Sequence, residues 1–471
     1  MGWQPVILWA DGLIWLTVAA VGLLFWRGAD GFREGWQHLW RKPVAMAAGL
    51  VLLCYVGIGL LDSLHFRLRL PAQAGMSAQY SVEVNSVLDV LIAHLNAYPE
   101  QTYSAPLAKH LFVKMPTILP DGHLALTYPD LTLYQAQKLG HDEQRARGRS
   151  QEKIRLGLRG VLVGVLLAAA MTLLFAGWQA YREGMPLRDL LRTALQGKHP
   201  LPWRTGWATL TVLCVLGAMM AEWSTVYHVL GTDKIGQDVL YQSMKGVRTG
   251  LMMGTLTTLV TLPLAVGLGI AAGYFGGWVD DVIQYIYTTL NSIPGVLLIV
   301  AAVLLMQGFI ETHPALFDSA ASRADFRLLF LCGILGVTSW TSLCRVLRGE
   351  TFKLREQDYV LAARTLGVSD WRIMGRHVLP NLLHLILISM VMDFSGFVLA
   401  EAVLSYLGVG VDPAMASWGN MINAARLELS REPVVWWPLA SAFGWMFVLV
   451  LSANLFADSL REAFDPLGRR R

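Results

Sequence analysis

The chain has 471 residues, of which 54% are hydrophobic and only 15% are charged, and its formal net charge is +4. A soluble globular domain carries about 25% charged residues, so this composition excludes an ordinary water-soluble protein and indicates one embedded in lipid. The small net charge, without a block rich in lysine and arginine, also argues against nucleic-acid binding.

Nine apolar runs are long enough to cross a bilayer, which takes about 17 to 25 residues. They are residues 6–26, 44–61, 161–178, 207–223, 251–275, 282–306, 328–344, 382–407 and 434–456. The first run lacks both a positive n-region and a small-residue cleavage site, so we interpret it as a retained helix. The predicted fold class is an all-α polytopic membrane protein with about nine transmembrane helices.

Lysine and arginine residues concentrate in four polar segments, which follow the first, third and seventh runs and end the chain. Short loops rich in these residues lie on the cytoplasmic side of a membrane. Nine spans place all four segments on one side. We therefore expect a membrane protein with an external N-terminus and a cytoplasmic C-terminus.

The chain divides into four predicted parts. Residues 1–61 hold two helices and a cytoplasmic loop, 62–157 form an external α+β insertion, 158–206 add one more helix and loop, and 207–471 form a six-span core. Within the insertion, apolar residues from 82 to 95 follow helical spacing. Pro120-Asp121-Gly122 lies between two apolar stretches, which predicts a hairpin.

Residues 355–381, on the predicted cytoplasmic side, read as two short helices with a sharp joint. Gly367 is expected to end the first helix because glycine accepts a positive φ. Ser369 is a suitable N-cap for the second helix, and Pro380 is expected to end it. Ala362 and Ala363 leave a low-relief face. Such a small charged elbow suits docking of a soluble partner, although an ordinary solvated loop is the alternative.

The same stretch resembles the EAA loop of ABC importer permeases, which reads Glu-Ala-Ala, three residues, Gly, nine residues, Ile-x-Leu-Pro. Ala362, Ala363, Gly367, Leu379 and Pro380 match in register, whereas Leu361 replaces the Glu and His377 replaces the Ile. Further blocks within 231–248, 273–280, 399–421 and 454–466 are similar to the dipeptide/oligopeptide/nickel subfamily. The match covers roughly residues 231–470 and resembles the C-type permease of peptide importers, with an atypical N-terminal extension and insertion.

This resemblance implies a permease subunit of an ATP-driven importer for short peptides or similar small polar solutes. It implies no catalytic residue, metal or cofactor in this chain, because ATP and Mg would be bound by partner subunits. The implied partners are a homologous second permease, two ABC ATPase subunits and an external substrate-binding protein. The implied coupling residues are Asp358, Ala362, Ala363, Arg364, Gly367, Ser369, Asp370, Arg372 and Pro380.

Four further residues are candidates for the substrate pathway. Asp393 and Glu401 lie within the eighth run, eight residues apart, where a carboxylate usually faces an aqueous cavity or a partner. They are expected to share a helix face and to attract a peptide ammonium group, or else to make structural hydrogen bonds. Asn291 and Pro294 lie in the sixth run, where the proline would allow a helix to flex or is merely tolerated.

Two other classes of function stay open from the sequence. One is a channel or exporter component that works without an ATPase. The other is a membrane-embedded sensor whose external domain, residues 62–157, binds a ligand.

Overall fold

The structure is a computed structural model that describes residues 3–27, 30–69, 80–81, 83–118, 124–134, 149–197, 199–317 and 319–464. Its helices are α1 Trp9–Arg27, α2 Asp30–Trp40, α3 Pro43–Asp62, α4 Val87–Leu91, α5 Ala93–Asn96, α6 Arg149–Glu183, α7 Leu187–Leu195, α8 Trp203–Ser224, α9 Val239–Phe275, α10 Gly277–Ser292, α11 Gly295–Thr312, α12 Ala320–Ser339, α13 Thr341–Arg355, α14 Asp358–Thr365, α15 Asp370–Ile373, α16 Leu379–Tyr406, α17 Trp418–Ala425 and α18 Trp437–Phe464. Its strands are β1 Trp3–Val6, β2 His65–Leu68, β3 Asn85–Ser86, β4 Met115–Ile118 and β5 Leu124–Thr127.

In the described part of the chain, seven helical stretches are long and apolar enough to cross a membrane, and the bent pair α12–α13 raises the number to eight. The seven are α3, α8, α9, α11, most of α6, residues Asp370–Tyr406 and most of α18. The predicted all-α polytopic fold is therefore confirmed. The predicted first span coincides with α1. Within α1, Trp9–Ala19 is an apolar helix too short to be counted among the seven spans. That span stays a prediction.

The predicted sixth span, residues 282–306, is wrong in its bounds. Helix α10 ends at Ser292, Ile293 is extended with φ −91° and ψ 129°, and α11 begins at Gly295. Pro294 causes the break because a proline ring pushes the preceding residue out of the helical region. The span is Gly295–Thr312, and α10 is a separate amphipathic helix. The seventh span also differs, since it is bent by 40° between Ser339 and Thr341.

Two small antiparallel sheets accompany the helices. In the first, β1 pairs with β2, with Trp3 opposite Leu68, and β2 pairs with β3. The N-terminal strand therefore lies on the same side of the membrane as the insertion. In the second, β4 pairs with β5 with Ile118 opposite Leu124, as expected for the predicted hairpin, whose Pro120-Asp121-Gly122 turn lies outside the described residues. The predicted helix over residues 82–95 is two short helices, α4 and α5.

The additional N-terminal helices pack directly on the core. A Cβ on Gly59 of α3 would lie 2.6 Å from a methyl carbon of Leu251 in α9, so these two helices approach closely. Tyr55 of α3 donates a hydrogen bond to the carbonyl oxygen of Trp445 in α18 at 2.8 Å. The extension is thus part of the same helical assembly as residues 239–464.

Candidate coupling site

The predicted elbow is present as α14, a tight joint and α15. Gly367 occupies the joint with φ +76°, a conformation in which a Cβ is strained. The backbone amides of Leu366, Gly367 and Val368 donate to the carbonyls of Ala362, Arg364 and Ala363 at 3.0 to 3.1 Å. These bonds end α14 sharply and turn the chain into α15.

Two local expectations about α15 need correction. Ser369 stands at the N-cap position in extended conformation, but its hydroxyl makes no capping hydrogen bond. Pro380 does not end α15, because the chain continues through a π-helical turn, Met374–Val378, into α16. Pro380 lies in the first turn of α16, where its missing N–H costs no hydrogen bond. The second arm of the elbow is therefore continuous with the span Asp370–Tyr406.

One face of the elbow is anchored in the apolar core. Val360 of α14 is 2% exposed and Ile373 of α15 is fully buried. Both belong to a cluster that includes Trp340 and Leu347 from the helices α12–α13. Ala363 is buried in the same cluster, so it serves the inner face, whereas Ala362 is exposed. The predicted low-relief outer surface therefore contains only one of the two alanines.

The opposite face is exposed and carries large apolar side chains. Leu366 is 82% exposed and Trp371 is 78% exposed, and Leu361 and Tyr359 are also exposed. The predicted coupling residues Asp358, Ala362, Arg364, Gly367, Ser369, Asp370, Arg372 and Pro380 are all exposed. A rigidly mounted surface that combines exposed apolar side chains with charges is typical of a protein-binding site.

Side-chain contacts fix the elbow to neighbouring helices. The hydroxyl of Tyr274, at the end of α9, donates to Asp370 Oδ1 at 2.7 Å. The ring of Phe275 contacts Trp371 edge-on, with 6.5 Å between centroids. Asn381 of α16 donates to the hydroxyl of Tyr359 at 3.0 Å. Side-chain contacts therefore join the elbow to α9 and α16.

A charge pair that the sequence analysis missed supports the helix leading to the elbow. Arg348 of α13 donates to both carboxylate oxygens of Asp280 in α10, and Gln284 donates to the same carboxylate at 2.9 Å. The hydrogen bond from Arg348 is the main cause that lowers the pKa of Asp280 below its ordinary value. Because 68 residues separate the partners, no local pattern in the sequence reveals the pair.

The two carboxylates proposed for the substrate pathway differ in their burial on α16. Glu401 is 2% exposed, and Ser405 donates a hydrogen bond to its Oε1 at 2.7 Å. A Cβ on Gly419 would lie 2.9 Å from the same oxygen, so Glu401 lies at the contact of α16 with α17. Asp393 is only partly buried. Eight helical residues correspond to about 80° of rotation, which accounts for the difference.

Asn291 and Pro294 both lie at the break between α10 and α11. Thr341, directly after the bend between α12 and α13, donates to Asn291 Oδ1 at 3.2 Å. The start of α13 therefore contacts the end of α10. Both Asn291 and Pro294 are exposed on the surface of the chain.

Among the described residues, no three His, Cys, Asp or Glu side chains are arranged as a metal site.

A multi-pass helical bundle with an exposed elbow at one end fits a membrane transport subunit. This chain belongs to the family described as "binding-protein-dependent transport system inner membrane component", whose model matches residues 265–470.

Three relatives illustrate this membership. The glutathione transport system permease protein GsiD of Pectobacterium atrosepticum is 33% identical over 240 residues, 51% of this chain and 72% of the relative. The oligopeptide transport system permease protein OppC of Mycobacterium bovis is 31% identical over 242 residues, covering 51% and 77%. The dipeptide transport system permease protein DppC of Bacillus subtilis is 29% identical over 243 residues, covering 52% and 70%. The chain is thus a multi-pass inner-membrane permease subunit of an ABC importer and not an enzyme.

Proposed function

We propose that this permease couples ATP hydrolysis in partner subunits to import of short peptides or similar small polar solutes, with the elbow α14–α15 as the coupling element. The observation that carries the proposal is the two-sided construction of the elbow. Val360 and Ile373 anchor it in the core, while Leu366 and Trp371 present an exposed apolar surface. A soluble ATPase subunit is the partner that this surface fits.

The mechanism follows from rigidity. Closure of the ATPase subunits around ATP would push on Trp371 and Leu366. Because α15 continues into α16, and Tyr274 joins the elbow to α9, the push rotates membrane-spanning helices as rigid bodies. Such helix movement opens a central pathway alternately to the two sides.

The partners and orientation belong to the same proposal. Two ATPase subunits would bind ATP and Mg, and a homologous second permease would complete the pathway. The elbow would be cytoplasmic and the insertion external, where a substrate-binding protein delivers its cargo. The N-terminus would be external and the C-terminus cytoplasmic. The contacts of α9 support this arrangement, because its beginning touches the insertion and its end touches the elbow.

The substrate class is supported by the relatives, which are permease proteins of glutathione, oligopeptide and dipeptide transport systems. Within this chain, the pathway would pass the break at Asn291 and Pro294. Both residues are exposed where α10 meets the span α11, and Asn291 accepts a hydrogen bond from Thr341 there. Asp393, partly exposed on α16, is a second candidate for lining it. Glu401, buried at the α16–α17 contact, would act structurally.

The test is reconstitution of the chain with its partner permease, ATPase subunits and binding protein in liposomes. Import of labelled di- and tripeptides that requires ATP on the elbow side supports the proposal. Import without ATP, or an assembly in which the elbow can be labelled at Trp371→Cys equally well with and without the ATPase, contradicts it. Trp9→Cys, with a side chain 77% exposed at the opposite end, is the control for labelling.

A further inference from the structure

We call the described residues that precede α6 the N-terminal module; they are residues 3–27, 30–69, 80–81, 83–118 and 124–134. This module contacts the beginning of α9 at three places. The first contact is made by Lys245, whose Nζ lies 2.6 Å from Asp62 Oδ1 and 3.0 Å from Asp89 Oδ2. Tyr241, one turn earlier in α9, donates to the other oxygen of Asp89 at 2.8 Å. One lysine of the core thus joins α3 and α4 of the module.

The second contact is a buried charge cluster. Arg248 of α9 donates to Asp11 Oδ1 of α1 from Nε at 3.0 Å and from Nη2 at 2.9 Å. His65 Nδ1 lies 2.9 Å from the other oxygen of Asp11, and Asp325 of α12 lies 3.8 Å from Arg248. All of these side chains are less than 10% exposed. Because these charges are buried, removal of either partner would leave the other uncompensated, so the contact ties α1 to α9.

The third contact lies at the N-terminus of α9. Asp238 caps the helix by accepting from the amides of Leu240 and Tyr241 at 2.8 and 3.1 Å. Its other oxygen is 2.6 Å from His228 Nδ1, and His228 Nε2 is 3.4 Å from Glu100 of the module. The amide of Glu100 also donates to the carbonyl of Gly236 at 3.0 Å. The helix cap is therefore tied to the insertion.

The other end of α9 is held by the elbow. Besides the bond from Tyr274 to Asp370, a Cβ on Gly273 would lie 2.5 Å from Thr351 Cβ, so α9 and α13 are in backbone contact there. The 37 residues of α9 form one helix that is about 55 Å long and contains Pro263. One helix thus connects the module with the elbow.

We propose that the N-terminal module controls the elbow through α9, with Lys245 and Arg248 as positioning residues. The module holds α9 at the end that faces the substrate-binding protein. A change in the position of that end is carried along α9 to the site that the ATPase subunits contact. This inference rests on the proposed function. Its physical content is a coupling free energy between two sites, which typically changes an equilibrium about 5- to 150-fold.

The test uses the complete assembly and compares ATP hydrolysis with and without the substrate-loaded binding protein. Lys245→Met is expected to lower the ratio of stimulated to basal hydrolysis by about fivefold or more, because Asp62 and Asp89 lose their cation. Lys245→Arg retains the charge and is expected to restore most of the ratio. The matched control is Arg159→Met, since Arg159 is 69% exposed and pairs with Glu222 on α8, away from α9. It is expected to leave the ratio unchanged.

A double-variant cycle distinguishes transmission through α9 from local damage. Tyr274→Phe removes the hydrogen bond to Asp370 at the elbow. If both ends of α9 act through this one helix, the effect of Tyr274→Phe on the ratio is not additive with that of Lys245→Met. Additive effects, or an unchanged ratio in a correctly assembled Lys245→Met transporter, overturn the inference alone. A wild-type assembly that hydrolyses no ATP overturns the proposed function, and the inference with it.

Discussion

Tyr274 and Asp370 join the last turn of α9 to the first turn of α15 by a hydrogen bond of 2.7 Å. The two residues are 96 positions apart and lie at the ends of two different helices. The elbow is therefore not a freely moving loop between spans. It is a short helical element that is joined to α9 by this hydrogen bond and to the core by Val360 and Ile373, and its outer face is exposed.

The first prediction concerns Gly367, at the joint of the elbow. Gly367→Val places a β-branched residue at φ +76°, which costs about 2 kcal/mol and favours other joint conformations. We expect ATP hydrolysis by the assembly to continue while substrate import falls at least about tenfold. Hydrolysis and import are measured on the same proteoliposomes.

Two variants make that prediction specific. Gly367→Asn is expected to retain most import because Asn tolerates a positive φ. Gly349→Val lies in α13 with open space around its Cα and is the control for adding a valine near the elbow. Normal import by Gly367→Val would show that the joint conformation is not needed for coupling.

The second prediction concerns the exposed face of the elbow. Trp371 is 78% exposed, so Trp371→Ala removes little buried area from the isolated chain and should change its thermal stability only slightly. A tryptophan at the centre of an interface contributes about 2 kcal/mol or more, which corresponds to roughly a 30-fold increase in Kd. Binding of the ATPase subunits is measured by titration. Trp9→Ala, 77% exposed at the opposite end of the molecule, should leave this Kd unchanged.

Much of the elbow is readable from the sequence, because its determinants are local. A glycine that ends one helix and a serine suited to cap the next predict two arms and a joint, and α14 and α15 are found there. The misplaced end at Pro380 has a physical cause. A proline in the first turn of a following helix is as favourable as one after a helix end, and the π-helical turn at Met374–Val378 joins the two.

Contacts between distant residues are what the sequence does not reveal. Asp11 reads as a lone charge in an apolar run, yet its partner Arg248 is 237 positions away. The break at Ile293 has a local cause, since Pro294 disfavours helical geometry at the residue before it. It was missed because hydropathy averaged over a span does not register a single extended residue. The Asp11–Arg248 pair, in contrast, depends on how helices are arranged in three dimensions.

The third prediction concerns the ion pair between Asp280 and Arg348. Arg348→Met leaves the carboxylate of Asp280 without its cation, and for a partly exposed pair we expect a loss of about 2 kcal/mol in stability. Thermal unfolding in detergent measures this as a lowered Tm. The double variant Asp280→Asn with Arg348→Met should recover part of the loss because it removes the uncompensated charge. Lys353→Met breaks an exposed pair with Glu350 and should change Tm little.

The fourth prediction concerns the pH dependence of the contact between the module and α9. Burial by itself lowers the pKa of His228, but the hydrogen bond to Asp238 and the carboxylate of Glu100 outweigh it and raise this pKa to about 9. Because the folded pKa lies above the ordinary value of 6.5, the stabilisation from protonated His228 is fully present below pH 6.5. It is lost progressively as the pH rises through about 9.

The carboxylate of Glu100 sets the opposite limit. Burial raises its pKa, but the adjacent His228 and hydrogen bonds from Thr132 outweigh this effect and hold the pKa below the ordinary value of 4.5. Its contribution is therefore present above pH 4.5 and is lost as the pH falls through the lower folded value. The contact between Glu100 and His228 should be most stable between about pH 4.5 and 6.5 and weaken on either side.

Hydrogen exchange of the backbone amides of Thr132 and Leu133, which donate to Glu100, measures this contact. After correction for the intrinsic pH dependence of exchange, we expect protection to decrease between pH 7 and 10 in the wild-type chain. His228→Gln cannot carry the charge, so its protection should be lower at pH 6.5 and nearly constant up to pH 10. Equal alkaline loss of protection in His228→Gln would assign the effect to another group, and the role of His228 as the proton-dependent link between Glu100 and Asp238 would have to be abandoned.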